Sequence, residues 1–394
     1  MAGLITGWEF GRSPRIIFGP GAFSRLGEEA ASLGRRALLV TGKSSLLRSG
    51  RLEALSRELR GRSLEMHRLE VGGEPSPELV DGAVLSHRGL GIDLVIAVGG
   101  GSVLDAGKAV AAMLPLGAPV EDYLEGVGKE PHPGIRLPFI AVPTTAGTGS
   151  EATNNAVISR VGKEGFKRSL RHPFFFPDLA VVDPELTLTC PPEITAACGM
   201  DALTQLLESY LSPRSGPLTD ALALSGMEKV REGLLAAYHD GSNLEARTDM
   251  SYAALVSGMT ISSSGVGLVH GFASAIGGRF PIPHGVICGT LLAAVTRANL
   301  EALSRDPGGG TVFLEKYAKA GRVLTGKRAK DTGEGCRLLL ETLEEWTEEM
   351  RLPRLGTFGL GEEDLRELAG EASLKDNPVR LEAEERFAVL AARL

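Results

Sequence analysis

The sequence contains little cysteine, no long apolar run and no block of like charge. Its four cysteines, Cys190, Cys198, Cys288 and Cys336, are scattered and include no CxxC pair. In a large chain that shows no export signal, such cysteines are expected to stay reduced. No segment approaches the roughly 18 consecutive apolar residues of a membrane span. The net charge of −7 gives no general attraction to nucleic acid or to anionic membranes.

The rest of the composition is typical of a soluble globular protein. Hydrophobic residues make up 43% and charged residues 23% of the 394 residues, and a chain of this length can form two domains with a large buried core. We therefore expect a cytoplasmic protein that has neither a membrane nor a nucleic acid as its partner.

The two halves of the sequence differ in the spacing of their hydrophobic residues. In the first half, Val/Ile/Leu-rich runs alternate with helical patterns, which predicts a parallel sheet covered on both faces. The predicted strands are RRALLV (35–40), DLVIAVGGGS (93–102), PFIAVPTT (138–145) and LAVVDPEL (179–186). A hairpin is predicted at 156–170. After CPPE (190–193), helical periodicity replaces strand signals.

This change of rhythm predicts a boundary between two domains near residues 186–192. We assign residues 1–188 to an α/β domain with a parallel sheet and residues 189–394 to an all-α domain.

Two turns rich in glycine and hydroxyl side chains follow successive predicted strands. GGGSVLDAGK (99–108) lies between a strand and a helix, where backbone amides and the helix N-terminus can bind a phosphate. PTTAGTGSE (143–151) follows the next strand. A tight turn without a ligand is the alternative for either segment alone, and neither is a GxGxxG motif. Together, they favour a phosphate-bearing ligand.

A third group of residues has the chemistry of a metal site. Asp201 and Gln205 lie one helical turn apart, and His270 and His284 lie in the Gly/Pro-punctuated segment LVHGFASAIGGRFPIPHG (268–285). A lone histidine in a helical domain is more often a hydrogen-bonded core residue than a ligand. With Asp201, however, the two histidines would supply one oxygen and two nitrogens, which suits Zn²⁺ or Fe²⁺.

The order of these motifs resembles one family along essentially the whole chain. GGGSxxDxxK, PTTAGTGSE, GMDAL, VHG and PHG are similar to the motifs of the iron-containing alcohol dehydrogenases, as are DPEL near residue 185 and the Asn377–Pro378 pair. The resemblance implies an N-terminal dinucleotide-binding domain, a helical C-terminal domain, an active site in the cleft between them, and a homodimer or larger homo-oligomer.

The resemblance also implies a metal site with two departures from the family pattern. The family's divalent metal, iron or zinc, would be bound by Asp201, Gln205, His270 and His284, where Gln205 replaces the usual histidine. Ser274 stands where many members carry a histidine near substrate and nicotinamide. We therefore predict His270, His284 and Ser274 as catalytic residues and a weakened metal site.

The predicted cofactor is NADP(H), with NAD(H) as the alternative. Many NAD-preferring relatives carry an aspartate where Gly42 stands, and such a carboxylate would repel a 2′-phosphate. A simple turn, neutral toward either cofactor, is the other interpretation. The residues predicted to contact the cofactor are Gly42, Ser44, Gly100, Gly101, Ser102, Asp105, Thr144, Thr145, Thr153, Lys167 and Leu186.

The expected function is an NAD(P)-dependent alcohol dehydrogenase or aldehyde reductase that acts on a small alcohol or aldehyde. Two alternatives stay open at this point. The first is a metal-independent reductase resembling maleylacetate reductases, and the second is a catalytically silent relative that only binds nucleotide.

Overall fold

A six-stranded parallel sheet forms the first half of the protein. The computed structural model describes residues 7–43, 46, 50–305 and 310–394. Within these residues the sheet has the order β1-β8-β5-β4-β2-β3, and each pair of neighbouring strands is parallel. Its strands are β1 (Arg15–Phe18), β2 (Arg36–Gly42), β3 (Glu65–Val71), β4 (Leu94–Gly99), β5 (Phe139–Pro143) and β8 (Leu179–Val182).

The four predicted strands are the four central strands of this sheet. Every residue of β4, β5 and β8 is buried, as a sheet covered on both faces requires. Sequence analysis missed β1 and β3, which lie at the two edges. β1 has only four residues, and β3, EMHRLEV, exposes Glu65, Arg68 and Glu70. Neither strand has the continuous apolar signal of a buried strand.

Within the described residues, helices on the faces of the sheet include α1 (Leu26–Leu33), α2 (Arg51–Gly61), α3 (Pro77–His87) and α4 (Gly101–Met113). Ser76 caps the N-terminus of α3, since its Oγ accepts a hydrogen bond from the backbone N–H of Leu79, and proline occupies the first helical position. The predicted hairpin is also confirmed. β6 (Asn155–Arg160) and β7 (Phe166–Arg171) pair antiparallel in a separate two-stranded sheet.

The second half is helical, which confirms the predicted fold class. It contains α5 (Pro192–Leu211), α6 (Pro217–His239), α7 (Leu244–Ser264), α8 (Leu268–Arg279), α9 (His284–Ser304), α10 (Thr311–Thr325), α11 (Thr332–Glu349), α12 (Glu362–Glu371) and α13 (Ala383–Ala391). Because β8 ends at Val182 and α5 begins at Pro192, the division at residue 188 falls in the connection. It stays a prediction.

Helix α9 is the most apolar long helix of the described residues. It is long and apolar enough to cross a membrane, but 72% of its most apolar stretch is buried inside the protein. Its apolar side chains, among them Ile287, Leu291 and Leu292, belong to the main core of the helical half. The apolarity of α9 is therefore accounted for by packing against the neighbouring helices.

The two halves touch through the loop that follows β5. A Cβ atom built on Gly258 of α7 would lie 2.1 Å from the carbonyl oxygen of Gly149, and one built on Gly147 would lie 2.7 Å from Cβ of Cys198 in α5. Backbone therefore lies directly against backbone at Gly149 and Gly258. Gly149 also has a φ of +61°, a left-handed conformation that favours glycine.

Candidate active site

The order in which the chain adds strands to the sheet reverses at β2, beside the first glycine-rich turn. From β2 the chain passes to β3 at one edge and then returns to β4 on the other side. Thr41 of β2 pairs with Val98 of β4, so Gly42 and Gly99 end neighbouring strands. In open α/β sheets, ligands bind in the crevice at the carboxyl ends of the strands where the strand order reverses. Gly42 and the 99–102 turn line this crevice.

The second turn covers the first. The backbone N–H of Thr144 donates to the carbonyl oxygen of Gly99 over 2.9 Å. A Cβ atom on Gly101 would lie 2.5 Å from Cγ2 of Thr148, and one on Gly100 would lie 3.4 Å from Oγ1 of Thr145. The glycines thus let the two turns approach each other, and α4 begins at Gly101, directly after this contact. Ser102, in the first turn of α4, is half-buried.

Gly42 has room for a side chain. The nearest atom to a Cβ built on it is Cγ2 of Val103, at 3.7 Å. The side chain of Lys43 extends over Gly72, where its Nζ atom would lie 2.6 Å from an added Cβ. Ser44, predicted to bind the cofactor, lies outside the described residues. The end of β2 therefore has open space at Gly42 and, next to it, the cationic side chain of Lys43.

Three other predicted cofactor residues are engaged within the protein. The carboxylate of Asp105 accepts hydrogen bonds from Ser150 Oγ and from the backbone N–H of Val157. Thr153 Oγ1 accepts from the buried Lys108 Nζ over 2.9 Å, and Leu186 is buried in the apolar core on one face of the sheet. Asp105 and Thr153 thus fix the position of the loop from 150 to 157. Their contact with a nucleotide stays a prediction.

Lys167 lies on β7 against α8. Its Nζ binds both carboxylate oxygens of Glu74 at 2.6 and 2.7 Å, and its side chain is only 6% exposed. A Cβ on Gly277 of α8 would lie 3.0 Å from Cδ of Lys167. Lys167 is therefore not a solvated surface residue. Lys167 is a buried, paired cation whose charge acts on His284.

Four side chains of the helical half converge on one point. Asp201 comes from α5, His270 from α8, and His284 and Cys288 from successive turns of α9. Their ligand atoms all lie within 4.8 Å of one another. Asp201 Oδ1 is 3.6 Å from His270 Nε2 and 3.7 Å from His284 Nε2. This cluster adjoins the second glycine-rich turn (143–151), because Gly147 packs on Cys198, three residues before Asp201.

The cluster fits a divalent cation. Asp201 Oδ1 is buried and has no hydrogen-bond partner in the described part of the chain, although buried polar atoms are normally satisfied. Burial raises the pKa of Asp201, but the two histidines lower it below its ordinary value. The carboxylate is therefore ionised and directed at two imidazole nitrogens. An oxygen, two nitrogens and a sulfur at this spacing are a donor set for Zn²⁺ or Fe²⁺.

The two histidines differ in their electrostatic environment. Burial lowers the pKa of His284 to about 4. Burial also disfavours the cation of His270, but attraction to Cys288 and hydrogen bonds to Asp201 and Glu208 raise its pKa well above the ordinary value. A bound metal would require both imidazoles to be neutral, so it would displace a proton from His270.

Glu208 orients His270. It lies seven residues after Asp201 on α5, and its Oε2 is 2.6 Å from His270 Nδ1. Its Oε1 accepts from the backbone N–H of Val269 over 2.7 Å. The carboxylate thus keeps the proton on Nδ1 and turns Nε2 toward the cluster, which is the arrangement that metal-binding histidines commonly have.

Gln205 and Ser274 also lie near the cluster, but their polar atoms have partners. Ser257 Oγ of α7 donates to Gln205 Oε1 over 2.7 Å, so the amide oxygen points toward α7. Ser274 Oγ donates to the carbonyl oxygen of His270 over 2.8 Å, which satisfies the hydroxyl within its own helix. Whether Gln205 binds metal and Ser274 takes part in catalysis stays a prediction.

Sequence analysis missed Cys288 and Glu208. Each has a spacing signal, because Cys288 lies four residues after His284 and Glu208 seven residues after Asp201, on the same helical faces. All four cysteines have free thiols, as predicted. Cys288 was missed because the four cysteines were interpreted only as scattered, reduced residues.

Comparison with known proteins identifies the family. The family "Iron-containing alcohol dehydrogenase" matches residues 13–184, and "Fe-containing alcohol dehydrogenase family, C-terminal" matches residues 195–394. Long-chain-alcohol dehydrogenase 1 of Geobacillus thermodenitrificans is 33% identical over 373 residues, which cover 91% of this chain and 90% of the relative. The chain therefore belongs to the iron-containing alcohol dehydrogenase family, which confirms the resemblance.

Solved structures agree with this assignment. An archaeal halo-thermophilic alcohol dehydrogenase from a Red Sea brine pool matches with a TM-score of 0.90 and 27% identity over 100% of both chains. Sulfoacetaldehyde reductase from Bifidobacterium kashiwanohense, solved in complex with NAD⁺, matches with a TM-score of 0.83 and 27% identity over 98% of this chain and 99% of that one.

Proposed function

We propose that the protein is an NAD(P)-dependent alcohol dehydrogenase or aldehyde reductase that is assisted by a divalent metal. The observation that carries this proposal is the convergence of Asp201, His270 and His284 within 4.8 Å of one another. The unpartnered Asp201 Oδ1 and the adjacent nucleotide turns support it further. Membership of a family of alcohol dehydrogenases and reductases supports the reaction class.

Different residues would bind the cofactor, the metal ion and the substrate in this reaction. The two glycine turns would hold the pyrophosphate, while Lys167 would lie near the nicotinamide ribose. Asp201, His270 and His284 would hold the ion, with Glu208 fixing the ring of His270. When bound, the ion supplies Lewis-acid polarisation of the alcohol or carbonyl oxygen while hydride passes between substrate and nicotinamide. Ser274 would line the substrate side and leave more space than a histidine.

We also propose a preference for NADP(H). Gly42 has no side chain to repel a 2′-phosphate, and Lys43 beside it can donate to one. Gly42→Asp has room for its side chain, since the nearest atom to the new Cβ would be 3.7 Å away. We expect the variant to lose about tenfold in kcat/KM with NADPH and to gain with NADH, because charge repulsion of 1–2 kcal/mol is about that factor.

Gly42→Ala is the matched control, because it fills the same position without charge. It should keep the cofactor preference of the wild type. A wild-type kcat/KM that is higher with NADH would contradict the NADP(H) proposal.

The reaction itself is tested by aldehyde reduction with and without chelation. Protein dialysed against a chelator should lose activity and regain it with Zn²⁺ or Fe²⁺, while nucleotide affinity stays unchanged. Full turnover after exhaustive chelation would favour the metal-independent alternative. Nucleotide binding without turnover on a broad panel of aldehydes would favour the silent relative.

A further inference from the structure

Cys288 occupies the position from which a fourth ligand could reach the metal. Its side chain is fully buried, and its Sγ lies 3.7 Å from His284 Nε2 and 4.0 Å from His270 Nε2. In a tetrahedral site with bonds of about 2.0 Å to nitrogen and about 2.3 Å to sulfur, neighbouring ligand atoms lie about 3.5 Å apart. The observed separations exceed this value by only a few tenths of an ångström.

The helix α9 places Cys288 there by simple geometry. His284 and Cys288 are four residues apart, so both side chains leave the same face of the helix. This face packs against α5, where a Cβ on Gly285 would lie 2.4 Å from the carbonyl oxygen of Ala197 and one on Gly289 would lie 2.8 Å from Cβ of Met200. Close packing at the two glycines brings both side chains up to Asp201.

Gln205 is poorly placed to do the same. Its amide oxygen faces Ser257 at 2.7 Å, and an amide is a weak, uncharged ligand for transition metals. The family's histidine at this position would also have been uncharged. A thiolate instead adds a negative charge, so that Asp201 and Cys288 together would balance the charge of a divalent ion in a buried site.

We infer that Cys288, as a thiolate, is the fourth metal ligand of this protein. It takes the place of the histidine ligand that other family members carry at the position of Gln205. This inference rests on the proposed metal-assisted function. Binding would release the Sγ proton as the metal–sulfur bond forms. A soft sulfur ligand favours Zn²⁺ over Mg²⁺ or Mn²⁺.

The test uses Co²⁺ as a spectroscopic probe in the metal-free protein. The wild type loaded with Co²⁺ should show an intense near-ultraviolet sulfur-to-cobalt charge-transfer band, which requires a thiolate ligand. Cys288→Ser keeps the size of the side chain and should lose the band while the protein stays folded, as checked by its melting temperature. Cys336→Ser, at another buried cysteine, should keep it.

Affinity for Zn²⁺ provides a second measurement. Competition with a chromophoric chelator should show at least about tenfold weaker binding in Cys288→Ala, since even outer-shell changes around metal ligands cost 10–100-fold. The double variant Gln205→His/Cys288→Ala should recover affinity without recovering the thiolate band, because an imidazole then supplies the fourth donor.

The outcomes separate this inference from the proposed function. Cobalt binding without a thiolate band in the wild type, or a band that survives in Cys288→Ser, overturns the role of Cys288 and leaves the metal-assisted reaction standing. A thiolate band in a protein whose activity is insensitive to chelation supports the ligand but not the catalytic use of the metal. Absence of any metal binding overturns both.

Discussion

The two glycine-rich turns (99–102 and 143–151) and the candidate metal centre (Asp201, His270, His284 and Cys288) are built by different means. In the turns, backbone atoms and missing side chains do the work: a Cβ on Gly101 would collide with Thr148, and Gly42 leaves an open position. In the centre, four side chains from three helices meet around a carboxylate oxygen that has no partner in the described chain. A site made of backbone is broken by adding atoms, whereas a site made of side chains is broken by removing them.

The largest effect should come from removing a side chain at the metal centre. His270→Ala deletes a nitrogen ligand and leaves Glu208 without its partner. Because Lewis-acid polarisation contributes several kcal/mol, kcat/KM should fall by about a thousandfold or more, together with metal content measured by elemental analysis. The nucleotide Kd should not change. A variant that retains metal and activity would place the centre elsewhere.

The complementary change adds atoms at the nucleotide turn. In Gly101→Val, the new Cβ would lie 2.5 Å from Thr148 Cγ2, so the covering loop must shift. We expect NADPH to bind about a hundredfold more weakly, since two lost hydrogen bonds to a charged phosphate cost roughly 3 kcal/mol. Fluorescence titration measures this change.

Gly100→Ala sharpens the same comparison. Its Cβ would clear the protein at 3.4 Å from Thr145 Oγ1, yet it would intrude on the ligand. It should therefore weaken NADPH binding without disturbing the loop. Metal content should stay at the wild-type level in both glycine variants, and a parallel loss of metal would show that the two sites are not independent.

The stability of the α/β half in acid should depend on the buried His132. His132, in the α/β half, is 7% exposed and packs with its ring centroid 4.7 Å from that of Phe175. Burial, aided by nearby His172, lowers its pKa to about 4. Between this value and the ordinary pKa of about 6.5, the unfolded chain binds more protons than the folded one. Stability due to His132 is therefore complete above pH 6.5 and falls as the pH drops toward 4.

His132→Asn tests this assignment. Asparagine can still accept from the backbone N–H of Gly134, as His132 Nδ1 does over 3.0 Å, but it cannot titrate. Between pH 7.5 and 5, the wild type should lose about 2 kcal/mol more unfolding free energy than the variant. Urea denaturation at both pH values measures the difference, and contributions from the metal centre cancel. Equal losses in the two proteins would contradict the assignment.

The smallest effect is expected at Ser274, which we propose to lie on the substrate side of the candidate metal centre. Ser274→His would fill space that the serine leaves and would introduce a titratable ring one turn after His270. We expect kcat/KM for larger aldehydes to fall severalfold and a new titration to appear at about pH 6–7, the usual range of imidazole. Unchanged pH profiles and size preference would place Ser274 outside the active site.

What could be predicted from the sequence follows the same contrast. The turns at 99–102 and 143–151 are local patterns, in which a buried strand ends at glycines, so their position was predicted correctly. Asp201, His270 and His284 were grouped by their residue types and assigned as ligands through the resemblance, because no local rule brings residues 201, 270 and 284 together. Cys288 and Glu208 were missed because their helical spacing says which face they share, but not which helix that face meets. Only the packing of α5, α8 and α9 answers that.

The contact of Gly149 with Gly258 has a consequence for building hybrid enzymes. Each half contributes one glycine to this contact, and a Cβ on Gly258 would lie 2.1 Å from the Gly149 oxygen. A chimera that joins the sheet half of one relative to the helical half of another must therefore inherit both glycines as a matched pair. A single methyl group at either position would force the two halves apart at this contact.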